Sequence, residues 1–370
     1  MSLEILMIHN ILREKSAQFF LMYGTRGVVN FYYATKFKTR NSALYLIGED
    51  GTELIVVPEM ERMRVEKEST VKEIASFEDI GYKEKLKELG DPKKAISETI
   101  VELLKTHKAK KVLIPHEFPA YLMESLIRNF EVEVIENPFV KIRSVKRRDE
   151  IEKIREVCKE VIKVFDELVK NFKFKRCEEV RNFIEISLFS DGYFAEDTIV
   201  SSGRLSAEPH YIGFGEIEDH LVIDVFPRSR MHGYHSDFTR TVFLNRNQEL
   251  EEMYNAVVEA QKRAINMIKE GVDAKDIHLE VKQTLEEFGY KTTKSEGFIH
   301  STGHGIGLEI HEEPRISDYS VKLKAGMVFT VEPGLYYKEV GGVRVEDVVV
   351  VKRDGCEVLT DYEKFIKLYK

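Results

Sequence analysis

Hydrophobic positions change period several times along this 370-residue chain, and each change marks an element. Leu6, Ile8, Ile11 and Leu12 fit one face of a helix. Residues 19–23, 28–34 and 43–47 are aliphatic and aromatic runs that predict strands. Glu49-Asp50-Gly51 predicts a hairpin turn into a further strand at 53–57. Helical spacing returns over 92–105, where Val101, Leu103 and Leu104 are apolar, and strands are predicted at 111–114 and 131–135. This alternation describes a mixed α/β domain.

A charged stretch at 143–155 then opens a long amphipathic helix. Its apolar positions, Ile151, Ile154, Val157, Cys158, Val161, Ile162, Phe165 and Leu168, recur at helical spacing. A domain boundary is expected at Asn137-Pro138, giving domains 1–138 and 139–370. Two more helices are predicted, 248–270 stopped by Gly271 and 274–288 with Asp273 as N-cap and Gly289 as stop. Strands are predicted at 221–226, 238–244, 328–332 and 342–351.

Length allows two domains with sizeable cores. The net charge of -8, with both signs interspersed, shows no nucleic-acid footprint. No apolar run approaches the roughly 18 residues that span a bilayer. Cys158, Cys177 and Cys356 are odd in number and show no CxxC spacing, so free thiols in a reducing cytoplasm are expected.

The chemistry concentrates in the last 150 residues or so. Asp224, Asp237, His304, Glu332 and Glu346 each sit in or beside an apolar strand or a glycine turn. Carboxylates in such places require something positive to face them. If the five converge they carry about four negative charges, which two divalent cations would neutralise. Taken singly each is ambiguous. Asp224 and Asp237 lie in LVIDVFPRSRMHGYHSDFTRTVFL, where either could be a turn cap or a partner of Arg240. Asp237, Thr239 and Thr241 share one strand face. In STGHGIGLEIHEEPRIS the glycines around His304 can present it at a tight turn, and His311 follows seven residues on. Arg344 and Glu346 share a face of GGVRVEDVVVV, which reads either as a simple ion pair or as a metal-binding glutamate oriented by Arg344.

Together, SDFTRT, GHGIGLEIHE, VEPGLY and RVEDVVVV resemble the pita-bread metallopeptidases: aminopeptidase P, prolidase, creatinase and methionine aminopeptidase. VKRRDEIEKIRE resembles the start of the family's catalytic domain, and VVNFYYATKF resembles a strand of its creatinase-like N-terminal domain. The resemblance implies an α+β protein. A smaller mixed α/β creatinase-like domain would precede a curved antiparallel sheet flanked by helices, the pita-bread domain. It implies two divalent ions (Mn, Co, Zn or Fe, with Mn or Co favoured). Asp224 would hold one, His304 and Glu332 the other, and Asp237 and Glu346 would bridge them.

Glu332 would also act as acid and base, His210 in AEPHYIG and His311 would contact substrate and move protons, and Arg315 in HEEPRIS would meet the substrate's terminal carboxylate. Arg344 and Thr239 would support the ligands. The implied activity is that of an Xaa-Pro dipeptidase acting on proline-containing dipeptides. The alternatives are an Xaa-Pro aminopeptidase acting on longer peptides and a non-catalytic binding protein on the same fold. A cytoplasmic homodimer with no nucleic-acid or membrane partner is expected. The segment departs from the family after Asp224, where Val225-Phe226-Pro227 replaces the usual small residue, so the loop to Asp237 is expected to differ. His220, His232, His235 and His300 are expected to be structural or pocket-rim residues.

Overall fold

The computed structural model describes residues 3–369 and divides into two compact units, with the division between Ile142 and Arg143. The first unit is built on a six-stranded mixed sheet. Its strands run in the spatial order Glu73–Ser76, Glu53–Val57, Ala43–Gly48, Phe19–Gly24, Lys111–Pro115, Glu131–Ile135. The hairpin at residues 49–51 joins Ala43–Gly48 to Glu53–Val57 in antiparallel register, as its turn residues predict. Helices Pro92–Thr106 and Ala120–Asn129 cover one face through Ile100, Val101, Leu104, Leu122 and Leu126.

One predicted strand is a helix. Residues 28–34 are β-branched and aromatic, yet Val29–Thr35 is helical and ends on Lys36 in the left-handed region. Packing overrides propensity here. The Phe31 ring sits where a side chain on Gly24 would be, so the helix closes onto the sheet at a residue that leaves room for it.

In the second unit one helix pair covers a four-stranded sheet, antiparallel except where Phe238–Phe243 pairs with Ile366–Lys367, and another covers strands of a five-stranded and a two-stranded antiparallel sheet. Arg148–Lys170 and Cys177–Ser190 pack on the sheet that contains Ile199–Ser202, His220–Val225 and Phe238–Phe243. Gln248–Met267 and Ala274–Glu287 pack on Val328–Val331, Gly341–Arg344 and Asp347–Val351. The helix predicted over 248–270 ends three residues early, at Met267. The strand predicted over 342–351 is interrupted, and Glu346 falls in the break. There it bridges Thr239 of the other sheet, its N–H donating to the Thr239 carbonyl at 3.0 Å. Among the described residues no helix is long and apolar enough to cross a membrane.

Strand alternation sorts these residues. Ile223 and Val225 point into one helix-covered core, so Asp224 between them points to the other face. Phe329 and Val331 enter the second core, as do Val343 and Val345, which leaves Thr330, Glu332, Arg344 and Glu346 on the face away from the helices. Each core-facing apolar residue thus specifies where its polar neighbour goes.

Arg240 secures the junction. Its guanidinium is fully buried, stacks 4.3 Å from the Phe238 ring, and pairs with Asp347 at 2.8 Å. Its remaining donors reach the carbonyls of Thr239, Glu346, Thr360, Tyr362 and Glu363. It therefore ties the two sheets and the C-terminal segment together, and it pairs with neither Asp224 nor Asp237. Replacing it with Met would leave Asp347 buried with less compensation and free five carbonyls. Arg240→Met should destabilise the protein by about 3–5 kcal/mol, seen as a lower guanidinium midpoint at unchanged slope.

Candidate active site

The faces turned away from the helices enclose a cavity of about 700 Å³. Asp224, Asp237, His304, Glu332 and Glu346 all line it, together with His210, His311, Arg315, Arg344 and His300. Asp224 lies opposite Thr239 in the strand pair, which puts Asp237, two residues before Thr239, on the same face. The intervening loop is an extended hairpin tip: Arg228–Ser229 pairs with Tyr193–Phe194, and the Ser236 N–H returns to the Pro227 carbonyl at 3.0 Å. The chain's departure from the usual small residue is absorbed there without separating the two aspartates' faces.

His304 is presented between Gly303 and Gly305. A Cβ on Gly303 would lie 1.8 Å from the Thr330 carbonyl oxygen and one on Gly305 2.2 Å from that of Glu313, so only glycine lets the neighbouring backbones approach this closely. Nδ1 of His304 donates to the Gly305 carbonyl at 3.2 Å. Nε2 then carries the lone pair. It faces Glu332 Oε1 at 3.3 Å and Asp237 Oδ2 at 3.6 Å.

Acceptors facing one another at such distances repel unless a proton or a metal cation lies among them, and two further oxygens, the buried Asp224 Oδ1 and Asp237 Oδ1, have no hydrogen-bond partner. Ligand atoms of Asp237, His304 and Glu346 lie within 4.8 Å of one another. Carboxylate oxygens with one imidazole suit divalent first-row ions, so these residues fit such a group.

Three of the other carboxylate oxygens are held. Arg344 Nη2 donates to Asp224 Oδ2 at 2.6 Å, and Thr239 Oγ1 donates to Glu346 Oε2 at 2.7 Å. Arg344 was expected beside Glu346 from its place on the strand. Its ion pair is instead with Asp224, because Thr239, brought in by the bridge between the sheets, takes the Glu346 oxygen. Thr330 Oγ1 donates to Glu332 Oε1 at 3.2 Å.

Of the next two residues of this network, Tyr336 is not singled out by the sequence, and His300 is read there as a structural or pocket-rim residue. The Tyr336 hydroxyl accepts from Arg344 Nη1 at 2.8 Å and donates to His300 Nε2 at 3.0 Å, while His300 Nδ1 donates to the Ser301 carbonyl. Tyr336 pairs with Gly342 two residues from Arg344's partner Gly334, so the strand period alone puts it on the right face once that pairing is known. His220, His232 and His235 have structural settings, against the Gly342 carbonyl, Glu156 and the Gly307 carbonyl.

Burial sets the charge states. It raises Asp237 well above the ordinary carboxylate value, with Glu346, Asp224 and Glu332 adding to the effect. Burial, then Glu332 and Asp224, raises Glu346 likewise, and burial raises Glu332. Burial lowers His304 and His300. His311 packs edge-on to His304 with ring centroids 4.2 Å apart, and partial burial, with His304 and Arg315 nearby, pushes it down to about 4. It is a neutral imidazole at neutral pH.

The comparison with known proteins decides the family. The model of metallopeptidase family M24 matches residues 152–353, and that of the creatinase/prolidase N-terminal domain matches 5–157. The chain belongs to metallopeptidase family M24. It is 38% identical over 261 residues to an Xaa-Pro dipeptidase of Pyrococcus furiosus, covering 66% of this chain and 72% of that one. Its fold matches an Xaa-Pro dipeptidase from Bacillus anthracis with a TM-score of 0.85 at 27% identity, over 99% of each chain. It also matches an X-Pro aminopeptidase from Thermotoga maritima with a TM-score of 0.81 at 28% identity, over 95% of this chain and 98% of that one. The α+β architecture is thus the pita-bread fold preceded by a creatinase-like N-terminal domain, and the enzyme is a hydrolase that works with divalent metal ions.

The raised carboxyls link metal to stability. Groups whose folded values exceed their unfolded values of about 4 bind protons more tightly when folded, so their contribution falls as pH rises from there towards neutrality. Divalent ions binding only the folded state should offset that loss. The melting-temperature gap between Mn²⁺-loaded and chelator-treated protein should widen from pH 5 to pH 8, and titration with Mn²⁺ should release protons. A gap independent of pH would contradict this account.

Proposed function

We propose that this member of the family is a two-metal exopeptidase that hydrolyses X-Pro bonds, with Xaa-Pro dipeptides as its substrates. The observation that carries this reading is the meeting of five metal-suited donors with Arg315 in one cavity. The Arg315 guanidinium has no partner among the described residues. A planar, permanently charged fork is matched by a carboxylate, and the proline of an X-Pro dipeptide carries one next to the scissile bond. In a longer peptide an amide stands there. Likeness to two Xaa-Pro dipeptidases supports the dipeptide reading, and likeness to an X-Pro aminopeptidase sets what must be tested against it.

In the proposed site Asp224 would hold one ion, His304 and Glu332 would hold the other, and Asp237 and Glu346 would serve both. Mn or Co is favoured. Bound there, divalent ions polarise a carbonyl and make water a nucleophile at neutral pH. The protein's own groups do the rest. Glu332 takes a proton from the attacking water and returns it to the proline nitrogen, a role suited to a carboxyl that burial has raised. His311, neutral and on the wall, donates to the carbonyl oxygen as charge develops on it. His210, in the turn after the short helix Gly203–Ala207, contacts the substrate from the cavity wall. Arg344 and Thr239 keep Asp224 and Glu346 aimed. We propose further that residues 139–370 form the catalytic domain, and that the enzyme is a homodimer of the cytoplasm. The free thiols Cys158, Cys177 and Cys356 are consistent with a reducing compartment.

Protein stripped with chelator and reloaded with Mn²⁺ or Co²⁺ should cleave X-Pro dipeptides. It should cleave longer X-Pro peptides more slowly and leave Met-peptides and creatine intact. Metal binding without turnover of any X-Pro substrate would sink the proposal, and faster turnover of the longer peptides would select the aminopeptidase. Asp237→Asn should lower the metal stoichiometry measured by calorimetry and abolish turnover together. Arg315→Ala should raise KM for dipeptides by about ten- to a hundredfold, the worth of a charge-assisted hydrogen bond, with a smaller effect on longer peptides. Equal effects on both would remove the carboxylate role.

A further inference from the structure

On the Asp224 side the cavity wall carries an acid that the chemistry above does not use. Asp197 lines the cavity, is exposed, and makes no hydrogen bond or ion pair among the described residues. Its backbone is left-handed, with φ of 59°. Asp tolerates that region better than most side chains, but the surroundings must hold it there. They do so through Thr198, whose N–H donates to Glu185 Oε1 at 3.3 Å and whose carbonyl accepts from Arg181 Nε at 2.9 Å. The same buried guanidinium donates to the Ile212 carbonyl at 2.6 Å and to that of Gly213. One cation thus fixes both the segment that carries Asp197 and the segment that carries Ile212.

The residues between this acid and the proposed metal centre are apolar. Ile199 faces Asp224 across the strand pair, Phe226 follows Asp224 by two residues, and Ile212 completes the lining. A surface that begins at Asp224, continues over Ile199, Ile212 and Phe226, and includes an unpaired carboxylate matches an aliphatic stem with a cationic head. The substrate's α-ammonium is a poorer match. It is bonded to the same carbon as the scissile carbonyl, so it stays close to Asp224 and the centre when that carbonyl is in place. The first residue's side chain is the part of the substrate long enough to pass the apolar wall and meet Asp197.

We propose that Asp197 is a specificity-determining residue that selects a basic first residue, Lys or Arg, in the X-Pro substrate. The inference rests on the X-Pro reading of the same site. Charge on the proline side is met by Arg315 from the other sheet, so the cavity has an acid on one wall and a base on the other.

The test compares Lys-Pro with norleucyl-proline, which has the same stem without the amine, and with Glu-Pro. An ion pair open to water is worth at most about fivefold, so wild-type kcat/KM should favour Lys-Pro over norleucyl-proline by about that factor, carried by KM and shrinking with added salt. In Asp197→Asn the ratio should fall to about one. Asp197→Lys should raise Glu-Pro relative to Lys-Pro, a reversal that a merely structural role would not produce. An unchanged ratio in Asp197→Asn, including equal losses on both dipeptides, would overturn the inference. So would a wild-type enzyme that treats Lys-Pro and norleucyl-proline alike. Turnover of norleucyl-proline in either case leaves the X-Pro reading standing. Failure to turn over any X-Pro substrate with metal bound removes that reading and the inference together.

Discussion

Asp224, Asp237, Glu332 and Glu346 share one cavity with an imidazole whose lone pair is turned towards two of them. Like charges about 4 Å apart repel by about 4 kcal/mol in the intermediate dielectric near a protein surface, and by more where water is excluded. Several such pairs would exceed the net stability of an ordinary domain, which is about 5–15 kcal/mol. Proton uptake relieves part of the repulsion, which is why burial and neighbouring acids raise Asp237 and Glu346 together. Divalent cations relieve it without surrendering the charge that hydrolysis needs.

The scaffold makes this concentration of charge tolerable by separating it from the cores. Each ligand strand sends one set of side chains into a helix-covered core and the alternate set into the cavity, so aliphatic residues such as Ile223 and Val345 anchor the acids beside them. Buried arginines then act at the joints rather than at the centre. Arg240 holds the carbonyls on both sides of the bridge that brings Glu346 to Thr239, and Arg344 fixes one oxygen of Asp224 and leaves the other unpartnered. Arg344 thereby orients the Asp224 carboxylate and keeps its second oxygen available.

What could be read from the chain follows from the range of the interactions involved. The hairpin at residues 49–51 and the helix anchored by Ile154, Val161 and Leu168 depend on local period and turn chemistry, and both are present. Residues 28–34 read as a strand because their composition is β-rich. The Phe31–Gly24 contact that makes the segment a helix is a tertiary fact with no local signature. The same division holds at the site. Asp224, Asp237, His304, Glu332 and Glu346 stand out because acids among valines and a glycine-bracketed histidine are locally anomalous. Tyr336, His300 and Asp197 do not, since a tyrosine on a strand or an aspartate before a threonine is ordinary until its partners are known.

Placement also bears on why this centre should act at chain ends. Asp197 lies in the bend that enters the strand Ile199–Ser202 of one sheet, Arg315 lies on the strand Glu312–Ile316 of the other, and the ligand cluster is built from both sheets. A substrate spanning the centre meets opposite charge on either hand, and Arg315 is satisfied by a carboxylate only where the chain stops. An internal peptide segment offers it an amide in place of the carboxylate, so extending the substrate beyond proline weakens the match. Selectivity for short substrates then needs no lid or gate. It follows from the positions of fixed charges on two sheets whose junction Arg240 holds in register.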